Sequence, residues 1–260
     1  MFNLSSPFTP WLIAAGLNTF LLAIAGLAPK KLLTPMGYLH AWVLGVLVWG
    51  CLSWPGYTVV MVYFLLGSGA TRIGMAEKEA AGIAEKRSGV RGPENVWGSA
   101  AVGTLCALGV GVLSVLGSEP ESSKWIALLT LGYVASFSTK LSDTCASEIG
   151  KAYGKRTFLI TNFKPAPPGT EGAVSLEGTL AGLIASAVIA LVGWAVGLIN
   201  GLGIIICLLA AFIATNLESL IGATLQNKFT WLTNEWVNVI NTLIGAIAAI
   251  LMGLVAIPFG

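Results

Sequence analysis

Apolar residues in this chain gather in long unbroken runs, with little of the two-residue alternation of half-buried strands. Eight runs stand out, at 11–28, 37–54, 56–70, 96–116, 125–139, 179–199, 202–225 and 237–257. Most are close to the ~20 residues a helix needs to cross the hydrocarbon core of a bilayer. The eleven prolines stay outside the runs, at 7–10, 29–35, 55, 93, 120, 165–168 and 258, and so mark turns between them. The third and fifth runs are short, which predicts helices that continue beyond the bilayer core. The expected fold is all-α, a polytopic integral membrane bundle of about eight transmembrane helices forming a single domain over residues 1–260.

Composition agrees with this pattern. The chain is 55% hydrophobic and 10% charged, whereas soluble domains carry roughly a quarter charged residues. Its 32 glycines permit close helix contact, within one copy or between copies of a homo-oligomer, and its nine tryptophans suit the membrane interface. Trp11, Trp54, Trp97, Trp125 and Trp194 all fall near run ends. A net charge of +2 argues against nucleic acid as a partner. Cys51, Cys106, Cys145 and Cys207 are far apart with no CxxC spacing, which argues against a zinc site or a disulfide framework. The first run lacks a basic flank and a cleavage site, so it reads as a retained span, not a signal peptide.

Charge then sets orientation. With the N-terminus outside, loops 29–36, 71–95, 140–178 and 226–236 face the cytoplasm and hold thirteen of the fourteen basic residues, leaving only Lys124 opposite. Ten of the twelve carboxylates lie on the same side, Glu119 and Glu121 being the exceptions. Loops 71–95 and 140–178 are the long polar ones, and a site built from them can draw lipophilic substrates from the bilayer.

In the first loop, MAEKEAAGIAEKR favours helix and predicts an extension of the third span; its charges can equally form a solvated, salt-paired linker. SGVRGPEN then offers a glycine turn whose backbone N–H groups and Arg91 can converge on a phosphate. The second loop opens with STKLSDTCASEIGKAYGKR. On a helix Asp143 and Ser147 share a face, while Glu148 lies about 140° from Asp143. Carboxylates and hydroxyls at this level suit Mg²⁺, which takes one or two carboxylates and completes its shell with water and phosphate oxygens. Lys151, Lys155 and Arg156 follow as phosphate partners, or as cations completing a helix end. PPGTEGAVSLEGT places Thr170 and Glu171 between glycines and Glu177 at the start of the sixth span, where free N–H groups attract anions. No Walker A or protein-kinase pattern is present.

Glu218 lies inside the seventh span, and an ionisable residue there is functional by default; Asn216, Ser219, Thr224 and Gln226 are available to satisfy it. Asn234, Asn238 and Asn241 add polar groups at the start of the last span. His40, the single histidine, opens the second span and suits interfacial packing better than metal ligation.

SDTCASEIGKAYGKR, PPGTEGAVSLEGTLAG and TNLESLIGATLQNK, with GIAEKRSGVRGPENVWGSA before them, resemble the membrane family that contains the phytyl-phosphate kinases of plants and cyanobacteria. The resemblance covers most of the chain from about residue 60 to 245. More loosely, D-T-x-A-S-E-x-G-K followed by E-G-T is similar to the CTP-dependent dolichol and phytol kinases and, through them, the CDP-diacylglycerol synthases; the stretch between Arg156 and Thr170 departs from that looser pattern. The resemblance implies phosphoryl transfer with Mg²⁺ from a nucleoside triphosphate, CTP above others, to phytyl phosphate. The isoprenyl diphosphate product would feed tocopherol and phylloquinone synthesis, in a plasma or thylakoid membrane.

On that basis Asp143 and Glu148 are expected to hold Mg²⁺, with Glu177 or Glu218 as a further acid. Lys151, Lys155 and Lys164 are expected on the nucleotide phosphates and Arg72, Lys86 and Arg91 on the acceptor phosphate. Asn95, Thr144, Ser147 and Thr170 are expected as hydrogen-bond partners, with Glu171 beside them. Two alternatives stay open: a CTP-dependent kinase of a free prenol or polyprenol such as phytol or dolichol, and a transporter of anions or lipid phosphates, which Glu218 favours.

Overall fold

Each apolar run becomes helix. A computed structural model describes residues 8–117, 120–226 and 228–256. Ser118 and Glu119 of the expected outer turn, and Ile257 at the end of the last expected span, lie outside the described residues. The long helices are α1 (Thr9–Leu27), α2 (Pro35–Arg72), α4 (Pro93–Leu116), α5 (Glu121–Tyr153), α6 (Leu176–Ala195), α7 (Gly201–Ile221) and α8 (Asn234–Ala256), with a short α3 (Met75–Ala80). Local chemistry sets several starts. The side chains of Thr34, Ser175 and Asn200 accept from the backbone N–H of Gly37, Gly178 and Gly203 at 3.0, 3.1 and 2.9 Å, and proline sits in the first turn of α1, α2 and α4.

The second and third runs are the two arms of α2. A straight 38-residue helix would be about 57 Å long, yet the Arg72 guanidinium at its end donates to the Lys31 carbonyl just before its start, at 3.2 Å. The arms therefore run antiparallel, reversing at Ser53 (φ 54°, ψ −156°) two residues before Pro55. Among the described residues, six helices are long and apolar enough to cross a membrane: α1, α2, α4, α6, α7 and α8. Serines, threonines and Lys140 make α5 more polar. It nonetheless packs against α2, α4, α6, α7 and α8 at the centre of the bundle, with Leu128 and every residue from Thr130 to Asp143 buried. With the arms of α2 counted separately, the described residues form eight long helical segments.

The fifth run continues as helix to Tyr153, as its shortness predicts, but the third does not. Its helix stops at Arg72, Gly74 takes a left-handed conformation (φ 60°), and α3 turns the chain aside after six residues. The expected long extension is replaced by a loop folded over the end of the bundle. A two-stranded ribbon, β1 (Thr157–Leu159) with β2 (Ala173–Ser175), pairs antiparallel with Thr157 opposite Ser175. Three-residue strands carry too little alternation to be read from the sequence. β2 leads directly into α6, which lies hard against α5. A methyl group on Gly178 would sit 2.5 Å from the Ala146 carbonyl oxygen, and one on Gly182 would sit 2.9 Å from Ser142 Oγ.

The four charge-rich connections gather at one end. Backbone bonds of 3.0 Å join Arg91 to Leu32 and to Thr34, Lys78 reaches Glu148, and Gly172 rests on Ala223. At this end His40 Nδ1 accepts from Trp97 Nε1 at 2.8 Å, the packing role expected of it.

Candidate active site

A cleft of about 360 Å³ opens at this end, walled by α5, α6, α7 and α8 and roofed by segments 84–91 and 168–175. At its inner end Lys140, buried in α5, donates to Asp143 Oδ2 at 2.6 Å and to Asn238 Oδ1 of α8 at 2.8 Å. The three-residue spacing puts lysine and acid on one helix face, and both are less than a tenth exposed. Thr215 of α7 donates to Ser142 Oγ at 3.3 Å. One turn further along α7, the Glu218 carboxyl faces Asp143, Lys140 and Glu171. A polar cluster thus joins α5, α7 and α8.

One wall is pinned by a second buried ion pair. Lys78 of α3, 1% exposed, donates to Glu148 and to the Thr71 carbonyl at 2.9 Å, and Lys151 Nζ lies 3.8 Å from the other Glu148 oxygen. In the roof, Arg87 binds Glu94, Asn95 Oδ1 at 2.8 Å and the Val90 carbonyl at 3.1 Å. Asn95 Oδ1 also accepts from the Gly92 N–H at 3.0 Å, closing the start of α4. Arg91 points across the bundle: Nη1 donates to Tyr63 OH at 3.0 Å, and the guanidinium lies 5.5 and 5.7 Å from the Tyr63 and Phe64 ring centres. Its orientation is fixed before any ligand binds.

The cleft brings together Lys86, Arg91, Asn95, Asp143, Thr144, Ser147, Glu148, Lys151, Thr170, Glu171 and Glu218. Four expected site residues are not in its lining. Arg72 is spent on the Lys31 carbonyl that closes the α2 hairpin. Lys155 and Lys164 are exposed around the β ribbon, and Glu177, in the first turn of α6, does not reach the cleft. Asp143 and Glu148 are also separated in their partners: Glu148 is held by Lys78 and Lys151, while Asp143 faces Lys140 and Glu218.

Sequence reasoning missed Lys78 and Lys140. Lys140 directly follows the fifth apolar run, and a lysine at the end of such a run is itself a signal of function. Lys78 gave none, because its partner is 70 residues away.

The acidic groups fit a magnesium ion. Asp143 and Glu218 lie together in the inner cleft with Lys140 beside them, and they supply the one or two carboxylates such an ion takes. Among the described residues no three His, Cys, Asp or Glu side chains form a metal-holding group.

The family model described as integral membrane protein DUF92 matches residues 18–246. The chain belongs to the DUF92 family. Among relatives, membrane protein sll0875 of Synechocystis sp. is 67% identical over 241 residues, covering 93% of this chain and 90% of that one. Protein VTE6, chloroplastic, of Arabidopsis thaliana is 50% identical over 222 residues, 85% of this chain and 65% of its own. Membrane protein MJ0933 of Methanocaldococcus jannaschii is 33% identical over 195 residues, 75% and 74% of the two chains. No solved structure matches. The DUF92 match takes in the whole cleft, from Tyr63 to Asn238.

Proposed function

We propose that this DUF92 protein is a membrane phosphotransferase that converts phytyl phosphate to phytyl diphosphate with a nucleoside triphosphate, CTP in preference, and Mg²⁺. The observation that carries this reading is the buried Lys140–Asp143–Asn238 contact beside Glu218, in a cleft whose walls bear Lys86, Arg91 and Lys151. The 50% identity to VTE6 and the resemblance to phytyl-phosphate kinases support an isoprenyl phosphate acceptor. The product would supply tocopherol and phylloquinone synthesis from recycled phytol, with the cleft facing cytoplasm or stroma.

The chemistry asks mainly for positioning and charge neutralisation. An oxygen of the acceptor phosphate attacks the γ-phosphorus of the nucleotide. A P–O bond forms there as the bond to the β,γ-bridging oxygen breaks, and the nucleoside diphosphate leaves. A phosphate monoester is largely dianionic near neutral pH, so no side chain need take a proton. Arg91, oriented by Tyr63, holds the acceptor phosphate with Lys86. Lys151 and the N–H groups around Thr170 take the nucleotide, and Lys140 meets the charge on the transferring group. Asp143 and Glu218 would hold Mg²⁺, which supplies charge neutralisation on the nucleotide oxygens. This assignment replaces Glu148 with Glu218.

A free prenol as acceptor would need a base, and the buried Asp143 carboxylate is the group available. Transport loses its main support, because Glu218 belongs to the same cleft as Asp143. Asp143→Asn and Glu218→Gln are expected to lower kcat about a hundredfold or more while the protein stays folded, with Glu177→Gln and Lys164→Ala near wild type. Wild-type turnover by folded Asp143→Asn would remove Asp143 from the site.

A further inference from the structure

On the side of α6 and α7, Leu183 and Phe212 join the lining of the cleft. Phe212 borders the cleft and is 44% exposed, next to the exposed Leu209 and Ile213 on the same side of α7. Leu183 lies seven residues into α6, about 10 Å from its start, and Phe212 nine residues before the end of α7, about 14 Å. Both depths fall within the ~15 Å half-thickness of a bilayer's hydrocarbon core. Toward the loops the lining turns polar within one turn, through Thr179, Thr215 and Asn216 to Asp143. The Asn216 amide is already given to the Phe212 carbonyl at 2.8 Å, which makes this residue the polar edge of the seam.

We infer that the α6–α7 seam is a lateral opening that holds the single hydrocarbon chain of the acceptor, with Leu183 and Phe212 as its sill, while the phosphate reaches Arg91 above the Lys140–Asp143 floor. This inference rests on the isoprenyl-phosphate reading above. The occupant is one chain, because α6 and α7 pack against each other and offer the cleft only two large apolar side chains, Leu183 and Phe212. The gradient from carboxylate to hydroxyl to apolar side chain matches an amphiphile with a small charged head. A second cavity at the opposite end, lined by Trp11, Gly50, Cys51, Leu108, Val112 and neighbours, has almost no polar lining to receive a phosphate.

Photolabelling tests the location without requiring turnover. A prenyl monophosphate carrying a diazirine in its tail is irradiated with the full-length protein in lipid bilayer, and the adducts are mapped. Adducts on α6 and α7 around Leu183 and Phe212, competed by phytyl phosphate but not by phosphatidic acid, are expected. Adducts at the opposite cavity, adducts spread evenly over the bundle, or equal competition by phosphatidic acid would overturn the inference. Kinetics give a second readout: Phe212→Trp and Leu183→Trp should each raise KM for phytyl phosphate about tenfold with an unchanged nucleotide KM. A parallel rise in nucleotide KM would also overturn it. Wild-type protein that labels in the seam but transfers no phosphate would reject the kinase reading and leave the lipid seam standing.

Discussion

Two buried lysines divide the labour of the site. Lys140 faces the cleft with Asp143 and Asn238, whereas Lys78 is turned into the protein, with Glu148 and the Thr71 carbonyl as partners. The first is placed to meet a phosphate, and the second fastens loop 73–92 to α5. Breaking a buried ion pair from one side strands a charge, so Lys78→Met should cost about 3–5 kcal/mol, read as a fall in thermal stability in detergent. Lys78→Met with Glu148→Met should recover most of that loss; a double variant no better than the single would show that the pair does not fasten the loop. Asp143 and Ser147 were legible from sequence because i,i+4 spacing fixes a shared helix face. The Lys78–Glu148 pair was not, since MAEKEAAGIAEKR describes a good helix and holds nothing about a carboxylate 70 residues on.

At the scale of elements, the apolar runs and the prolines between them were enough to locate the helices, including the α2 hairpin, because Pro55 lies beside the reversal. What they could not convey was backbone conformation. Ser53 sits at positive φ with an extended ψ, a region glycine occupies freely and other residues occupy at a cost of about 1–3 kcal/mol. Ser53→Gly should therefore stabilise the protein by about 1 kcal/mol, and Ser53→Val should destabilise it; a lower melting temperature for the glycine variant would contradict the turn. The early end of the third span has a similar origin, a left-handed Gly74 inside a sequence that otherwise favours helix. The β ribbon escapes for another reason, since its short strands are stabilised by each other and by the loop between them.

Across the whole molecule, the charged connections converge on one end although they are scattered through the chain, and the cleft exists because they do. The distribution of basic residues anticipated that convergence and further predicts which side of the membrane it faces. In a cysteine-free background, Lys86→Cys and Lys164→Cys should be modified by an impermeant maleimide only from the cytoplasmic or stromal side, and Lys124→Cys only from the opposite side. Modification of all three from one side would reject the topology.

Phosphoryl transfer itself is the most direct test. Purified protein is given Mg²⁺, a γ-labelled nucleoside triphosphate, and either phytyl phosphate or phytol. Label is expected in phytyl diphosphate, fastest from CTP, only when phytyl phosphate is supplied, and none once Mg²⁺ is chelated. Folded protein that labels neither acceptor with any of the four nucleotides, or labels phytol alone, would contradict the kinase reading.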